Sequence, residues 1–512
     1  MSKPIIGLDF GNYNSFPCFI SDFDMNTKMG GTVHDLMPAK CRYGIPSVYF
    51  YSAKLGVMYG EDAMQRRAKP IANRLRYLKR HLGETAVLDG KTVSYDEAIT
   101  EVIQHCVRIA NKELQSGYQM TTNKISLSYP ATYTCAQRQR LIELAEKAKL
   151  EDGTTVSVFG TISEPAAAAL DYLAEHARSD KETTVLTYDL GGGTFDLALV
   201  SVYPKGRKNA NGGIYYYDII NARGLGKLGG KEFDEIVFEL IKSKLDDELT
   251  TTELAALREE AENVKIALTT NTAAEPNFMH DGDYLGVEVT REEFERKARP
   301  LLMQTIDATR AILNDHPNQQ PEFILITGGS CEMPMVEREL SAALPQFKGR
   351  IIKHRPSRAI AYGAARYGAE EINRDPAVNS AVVQRTMYDI GVRFFNDAND
   401  RAGYIETYIP AGTQIPFYGE YRASYTLHEK QRYSGFSVCE ANGSHPDPNK
   451  VERDYTEIMK VVIDHGRGVP IGTKSESRLN VDKRGVITID AHDPKNKKKS
   501  AITHSVELKN LS

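Results

Sequence analysis

Tyr188-Asp189-Leu190-Gly191-Gly192-Gly193-Thr194-Phe195-Asp196 is a run of three glycines with a carboxylate on each side. Ahead of it, residues 183–187 (Thr-Thr-Val-Leu-Thr) are β-branched and read as a buried strand; behind it, residues 197–202 (Leu-Ala-Leu-Val-Ser-Val) read as a second. The glycines therefore occupy a tight turn between two strands. With no Cβ in the way, their N–H groups can converge on an anion. Thr194 adds a hydroxyl. Asp189 and Asp196 can hold Mg²⁺ directly or through its waters, because that ion takes oxygen ligands and keeps several waters. The rival reading is a plain β-hairpin with a glycine turn, which a single short motif does not exclude.

A second copy changes the balance. Residues 5–15 (Ile-Ile-Gly-Leu-Asp-Phe-Gly-Asn-Tyr-Asn-Ser) repeat the plan: a short apolar strand, Asp9-Phe10-Gly11, a polar tip at Asn12 and Tyr13, then an apolar strand over 16–20. Two such hairpins imply two similar lobes facing one nucleotide. A third glycine site, Thr327-Gly328-Gly329-Ser330, follows a strand and precedes a helix starting near Pro334, which suits the adenosine or phosphate end of a nucleotide. Together the three sites resemble the actin-like ATPase fold shared by actin, sugar kinases and heat-shock chaperones.

The 512 residues suffice for two to four domains. Hydrophobic content of 41% with 26% charge is that of an ordinary globular protein, and a net charge of −4 argues against general binding to nucleic acid or a membrane surface. No apolar run approaches the roughly 20 residues of a spanning helix, and Met1-Ser2-Lys3-Pro4 leads straight into a strand, so no signal peptide is expected. Cys18, Cys41, Cys106, Cys135, Cys331 and Cys439 are scattered, so reduced thiols and a cytoplasmic location are expected.

Along the chain, 24–42 reads as a loop or long hairpin, and Gly60 opens a helix carrying Arg66, Arg67 and Lys69. The basic run Arg74, Arg76, Lys79, Arg80, His81 reads as a solvated helix face from which one cation could reach a phosphate. Ser94-Tyr95-Asp96-Glu97 and Thr290-Arg291-Glu292-Glu293 read as capping boxes, the second starting a helix disturbed at Pro300. Helices are expected over 136–150, after Glu164-Pro165, over 232–245, 253–268 and 357–372, alternating with strands as in α/β packing. Beyond Asn373-Arg374-Asp375-Pro376 the helical patterns stop. Strands at 382–384, 388–395, 404–408, 422–428, 435–440, 457–464, 477–481, 486–492 and 501–508 predict a β-sandwich.

An ATPase-like half, a linker and a sandwich, in that order, resemble the seventy-kilodalton heat-shock (DnaK-like) chaperone family from Ile5 to about Leu508. The matching motifs are the two hairpins, Leu228-Gly229-Gly230-Lys231-Glu232-Phe233-Asp234, Ala136-Gln137-Arg138-Gln139, Glu164-Pro165-Ala166-Ala167-Ala168-Ala169, Met333-Pro334-Met335-Val336 and Ala361-Tyr362-Gly363-Ala364-Ala365. The resemblance implies an actin-like nucleotide-binding ATPase domain over 1–373, a linker over 374–386 and a β-sandwich partner-binding domain over 387–512.

It further implies ATP or ADP with Mg²⁺ as cofactors, and assigns roles. Lys79 matches the family's catalytic lysine, Glu164 positions water or the metal shell, and Thr194 lies beside the γ-phosphate. Asp9, Asp189 and Asp196 set the waters of Mg²⁺. Gly11, Asn12, Tyr13, Gly191, Gly192, Gly193, Gly229, Gly230, Gly328, Gly329 and Ser330 line the phosphate path, while Glu262, Lys265 and Thr269 hold ribose and adenine. Pro130 and Arg138 match a pair that relays nucleotide state. Implied partners are an unfolded peptide or client protein, a J-domain protein and a nucleotide-exchange factor.

Several positions depart from the family pattern. Asn12-Tyr13 stands where two threonines are usual, Glu332 where an arginine stacks on adenine, Arg355-Pro356-Ser357 where Asn-Pro-Asp is usual, and Ala381-Val382-Val383-Gln384 where the linker is a leucine run ending in aspartate. The chain stops at Ser512, where the sandwich should end, so the helical lid is expected to be absent and peptide exchange fast. The resulting expectation is an ATP-dependent chaperone that hydrolyses slowly. Its rivals are a low-turnover nucleotide-binding scaffold for a dedicated partner, a small-molecule kinase of the same superfamily and, without support in the residues, an actin-like filament protein.

Overall fold

The computed structural model describes residues 4–24, 30–65, 69–176, 181–208, 214–245, 248–280, 283–373, 382–443, 446–495 and 502–504. The chain divides into two compact units. One comprises Met1–Thr132 and Ile142–Val382, the other Tyr133–Leu141 and Val383–Ser512.

In the first unit, both glycine motifs are hairpin tips. Ile6–Phe10 pairs antiparallel with Asn14–Asp24, and Thr183–Leu190 with Phe195–Lys208, so that Asp189 lies opposite Asp196. Each hairpin sits in a sheet of the same order. Ser157–Ser163, Lys124–Tyr129, Ile6–Phe10, Asn14–Asp24 and Gly30–Asp35 follow one another in the first. Ile351–Lys353, Phe323–Thr327, Thr183–Leu190, Phe195–Lys208 and Ile214–Leu225 do so in the second. In both, the first three strands are parallel and the rest antiparallel. Parallel strands are covered on both faces, which is why their sequences read as near-continuous apolar runs.

After the outer parallel strand of each sheet comes a helix, Glu164–His176 in one case and Ala359–Asn373 in the other. The two pack backbone to backbone: a Cβ on Gly363 would collide with the carbonyl of Ala167. The four alanines 166–169 and the Ala-Tyr-Gly-Ala-Ala run supply the small surface this approach needs. Charge seals the contact. Arg366, only 2% exposed, donates to Asp171 Oδ1 at 3.0 Å and to Glu175 at 2.8 Å, and Asp171 also receives His354 and Arg355, each at 2.8 Å. Arg355 thus explains its own departure from the family pattern: it answers the buried Asp171.

Several local expectations are revised. The helix from Gly60 ends at Met64; Arg66 and Arg67 lie outside the described residues. Ser94 caps Tyr95–Tyr118 by accepting from Asp96 N–H at 3.2 Å, but Asp96 turns to Gly83 N–H at 2.8 Å and no reciprocal box forms. Arg291–Asp315 runs through Pro300 without a break. The basic run is no helix face: residues 74–80 form the short strand Arg74–Leu75 and the 3₁₀ turn Leu78–His81. Most of the expected linker, 374–381, lies outside the described residues.

In the second unit, a five-stranded sheet faces a sheet of four. Their shared core takes Ile390, Val392, Phe436, Val438, Val461 and Ile463 from one and Leu479, Val481, Ile487 and Ile489 from the other. Within this unit the buried Glu440 carboxylate accepts from Cys135 N–H at 2.8 Å, and Arg138 donates to the Gly485 carbonyl.

Removing one partner of a buried, hydrogen-bonded charge leaves the other uncompensated. Arg366→Met is therefore expected to cost about 3–5 kcal/mol in the first unit's unfolding transition, measured by urea titration.

Candidate functional site

The two hairpin tips bring four carboxylates and one ammonium together. Lys79 stands in the 3₁₀ turn Leu78–His81 and is 3% exposed; its ammonium donates to Glu164, the first residue of the helix Glu164–His176. Asp9, Asp189 and Asp196 are buried beside this pair. Ser128 Oγ donates to Asp9 at 2.9 Å, and Thr132 N–H to Asp196 at 3.2 Å. One oxygen each of Asp189 and Asp196 is buried without a hydrogen-bond partner.

This geometry sets the protonation of the cluster. Burial, then repulsion from Glu164, pushes Asp9 up to about 7 against the pull of Lys79 and Ser128. Burial and Glu164 push Asp196 up to about 7 as well, against Thr194, Lys79 and Thr132. Asp189 is raised by burial and by Glu164, Asp196 and Asp9. A divalent cation would relieve this repulsion. Among the described residues no three acidic, His or Cys side chains converge as direct ligands. The orphaned oxygens therefore suit a cation reached through its own waters.

The glycines permit contacts that a side chain would prevent. Gly328, at φ +87°, packs on the Leu190 carbonyl and the Asp189 carboxylate. A Cβ on Gly229 would lie 2.7 Å from the backbone of Gly193 and Thr194. The second tip is fastened from below: Gly230 N–H donates to Gly191 O, and Lys231 N–H to Gly192 O, each at 2.9 Å. Ser330 Oγ donates to Gly191 O at 3.0 Å. Thr194 is buried at the same tip, Gly11 abuts the Asn14 carbonyl, and Gly329 faces open space.

On the helix Thr251–Ala267, Lys265 pairs with Asp234 at 2.6 Å and Glu262 accepts from Arg76 at 2.9 Å. Thr269 lies just past the helix and donates to Ile266 O at 2.7 Å. Glu332 is exposed, 4.0 Å from the Lys353 ammonium. Pro130 directly follows the strand Lys124–Tyr129 of the first unit, whereas Arg138 belongs to the second.

Sequence reading missed the arginines of 74–80 as a set. Arg74 forks onto Glu259 (2.9 and 3.0 Å), Arg76 meets Glu262, and Arg80 forks onto Glu232 (2.8 and 3.0 Å). Glu259 and Glu262 stand three apart, hence on one helix face. That spacing was visible, but its basic partner lies more than 180 residues away. A cavity of about 360 Å³ opens beside these pairs, lined by Arg76, Tyr77, Asp234, Leu254 and Glu262 among others.

The model of the Hsp70 protein family matches residues 5–511, and the chain belongs to that family. Its members are ATPases that bind ATP or ADP, generally with Mg²⁺, and act as chaperones. A protein described as chaperone protein DnaK, from Mycoplasma mycoides subsp. mycoides SC, is 27% identical over 522 residues, covering 98% of this chain and 80% of the relative. Among the described residues no helix is long and apolar enough to cross a membrane.

The raised carboxyls have a linkage consequence. Unfolded, they ionise near 3.8; folded, Asp9 and Asp196 keep their protons up to about 7. Between these values the native state binds more protons than the unfolded state, so this contribution to stability falls as pH rises. Metal-free protein is therefore expected to lose thermal stability from about pH 5 to about pH 8, with Mg²⁺ restoring progressively more at the higher pH. Differential scanning calorimetry with EDTA or Mg²⁺ checks this; a flatter profile is expected for Asp9→Asn.

Proposed function

We propose that the chain binds and slowly hydrolyses Mg-ATP in the domain 1–373, and so controls the binding of an extended peptide or client protein by the sandwich 387–512. The observation that carries the reading is the buried Lys79–Glu164 pair facing Asp9, Asp189 and Asp196 at the tips of two glycine hairpins. In phosphoryl transfer, catalysis is mostly positioning and charge stabilisation.

The Lys79 ammonium supplies positive charge to the γ-phosphate oxygens. Glu164 holds that ammonium and accepts from the attacking water. Thr194 donates to the γ-phosphate, and the glycine N–H groups receive the phosphate chain. Asp9, Asp189 and Asp196 would hold Mg²⁺ through its waters, and the ion would supply positive charge to the phosphate chain. Glu262, Lys265 and Thr269 serve the nucleoside.

For the sandwich, a partner surface is supported by the strands Phe417–Tyr418 and Arg422–Tyr425. Among the described residues both pair on one side only, with Lys474–Val481. Tyr418 and Tyr425 are exposed on these strands, and a cavity of about 380 Å³ opens beside Tyr418. Strand addition provides backbone hydrogen bonds, and aromatic side chains supply the anchors. A J-domain protein and an exchange factor are the co-chaperones this reading calls for, in the cytoplasm.

One observation favours a second reading, a nucleotide-holding scaffold with little turnover: Asn12 and Tyr13 pack on Gly193 and Gly192, where the family has hydroxyls. Isothermal titration of ATP and ADP with and without Mg²⁺, followed by phosphate release, separates the two. Binding with slow turnover is expected. Lys79→Ala and Thr194→Ala are expected to lower turnover about 10²-fold or more while keeping ADP binding. Binding without turnover in the natural sequence selects the scaffold.

A further inference from the structure

We propose that Tyr13 and Arg76 form a latch that competes with nucleotide for Glu262, so that the chain's own side chains set how readily the cleft is entered. The inference rests on the nucleotide site proposed above.

Tyr13 begins over the second glycine tip, where a Cβ on Gly192 would lie 3.2 Å from its own Cβ. Its ring then covers the Arg76 guanidinium, which stands against the Glu262 carboxylate on the helix Thr251–Ala267. Arg76 donates to the same carboxylate at 2.9 Å. The Arg76 guanidinium is held between two rings, 5.1 Å from the centre of Tyr13 and 5.5 Å from that of Tyr77. Tyr77 is fixed in the left-handed region, φ +56°, which turns the chain between Arg76 and Lys79. Burial, then Glu262, pushes the Tyr13 phenol up, so it stays protonated and uncharged through the physiological range.

The buried carboxylate expected to receive ribose hydroxyls therefore already has a donor in Arg76, and Tyr13 is stacked on that donor. The first hairpin tip meanwhile covers the second: Tyr13 lies on Gly192, and the Asn12 amide would be 2.7 Å from a Cβ on Gly193. A nucleotide passing between the tips toward Glu262 must lift the phenol ring off Arg76 and take over the guanidinium's bond to the carboxylate. Opening is confined to these two side chains, because the forked pairs Arg74–Glu259 and Arg80–Glu232 hold residues 74–80 on either side. A ligand that needs a minority state binds with affinity reduced by the population of that state.

The test uses the full chain with Mg²⁺ and a fluorescent N-methylanthraniloyl-ADP in stopped flow, with calorimetric titration of ADP alongside. Tyr13→Thr and Arg76→Gln are each expected to bind ADP more tightly, by about tenfold for a latch closed nine-tenths of the time, mainly through faster association. Tyr13→Phe keeps the ring over Arg76 and gives little of that gain, and Tyr13→Thr combined with Arg76→Gln gives less than the sum of the two singles. Arg432→Gln, which removes an exposed pair with Asp464 in the second unit, serves as a control and leaves binding unchanged. Binding by Tyr13→Thr where the natural sequence binds nothing also supports the latch. Unchanged or weaker binding in Tyr13→Thr and Arg76→Gln, with melting curves showing both folded, overturns it and leaves the nucleotide site standing. No binding by any form overturns both.

Discussion

The close crossing of the helices Glu164–His176 and Ala359–Asn373 is the constraint on which the first unit depends. At Gly363 against Ala167 the two backbones meet without an intervening side chain. Each helix follows one of two sheets of like strand order, so their separation fixes how far apart the sheets lie and brings the hairpin tips face to face. Asp171 and Arg366 lock the rotation about this contact, since a buried charge is tolerated only when its partner is correctly placed. Glu164 is the first residue of one of these helices, so packing and candidate chemistry share one element.

The cleft between the tips is costly to the folded chain. Four carboxylates are buried around a single ammonium, and burial with mutual repulsion lifts Asp9, Asp189 and Asp196 well above their ordinary range. A fold optimised for stability alone would replace such a cluster with apolar groups. Its retention is intelligible as preorganisation: charge is set in place before a ligand arrives, and no rearrangement is required at the moment of reaction.

The departures from the family pattern have tertiary partners. Arg355 answers Asp171, and Glu332 sits near Lys353. Tyr13 is met by Arg76, which in turn pairs with Glu262. Each substitution would look like damage if judged one residue at a time. Judged with their neighbours, each has a charged group facing it in the fold.

From the sequence alone the glycine hairpins, the small-residue helix faces, the family and the strand-rich last third could be read, because each is a local pattern of period, size or turn chemistry. Thr290 with Glu293 signalled its helix start for the same reason. Ser94 caps its helix but not as its motif suggested, because its hydroxyl accepts from Asp96 N–H and not from Glu97 N–H, three residues on, as a capping box requires. The basic run 74–80 was legible as charge but not as a clasp: Glu232, Glu259 and Glu262 are brought to it by the packing of helices far along the chain. Which carboxylates share a proton-rich cleft, and which arginine faces which glutamate, are properties of distance in space. The order of residues determines the hairpins; only the meeting of two sheets through their shared helix contact decided what stands between them.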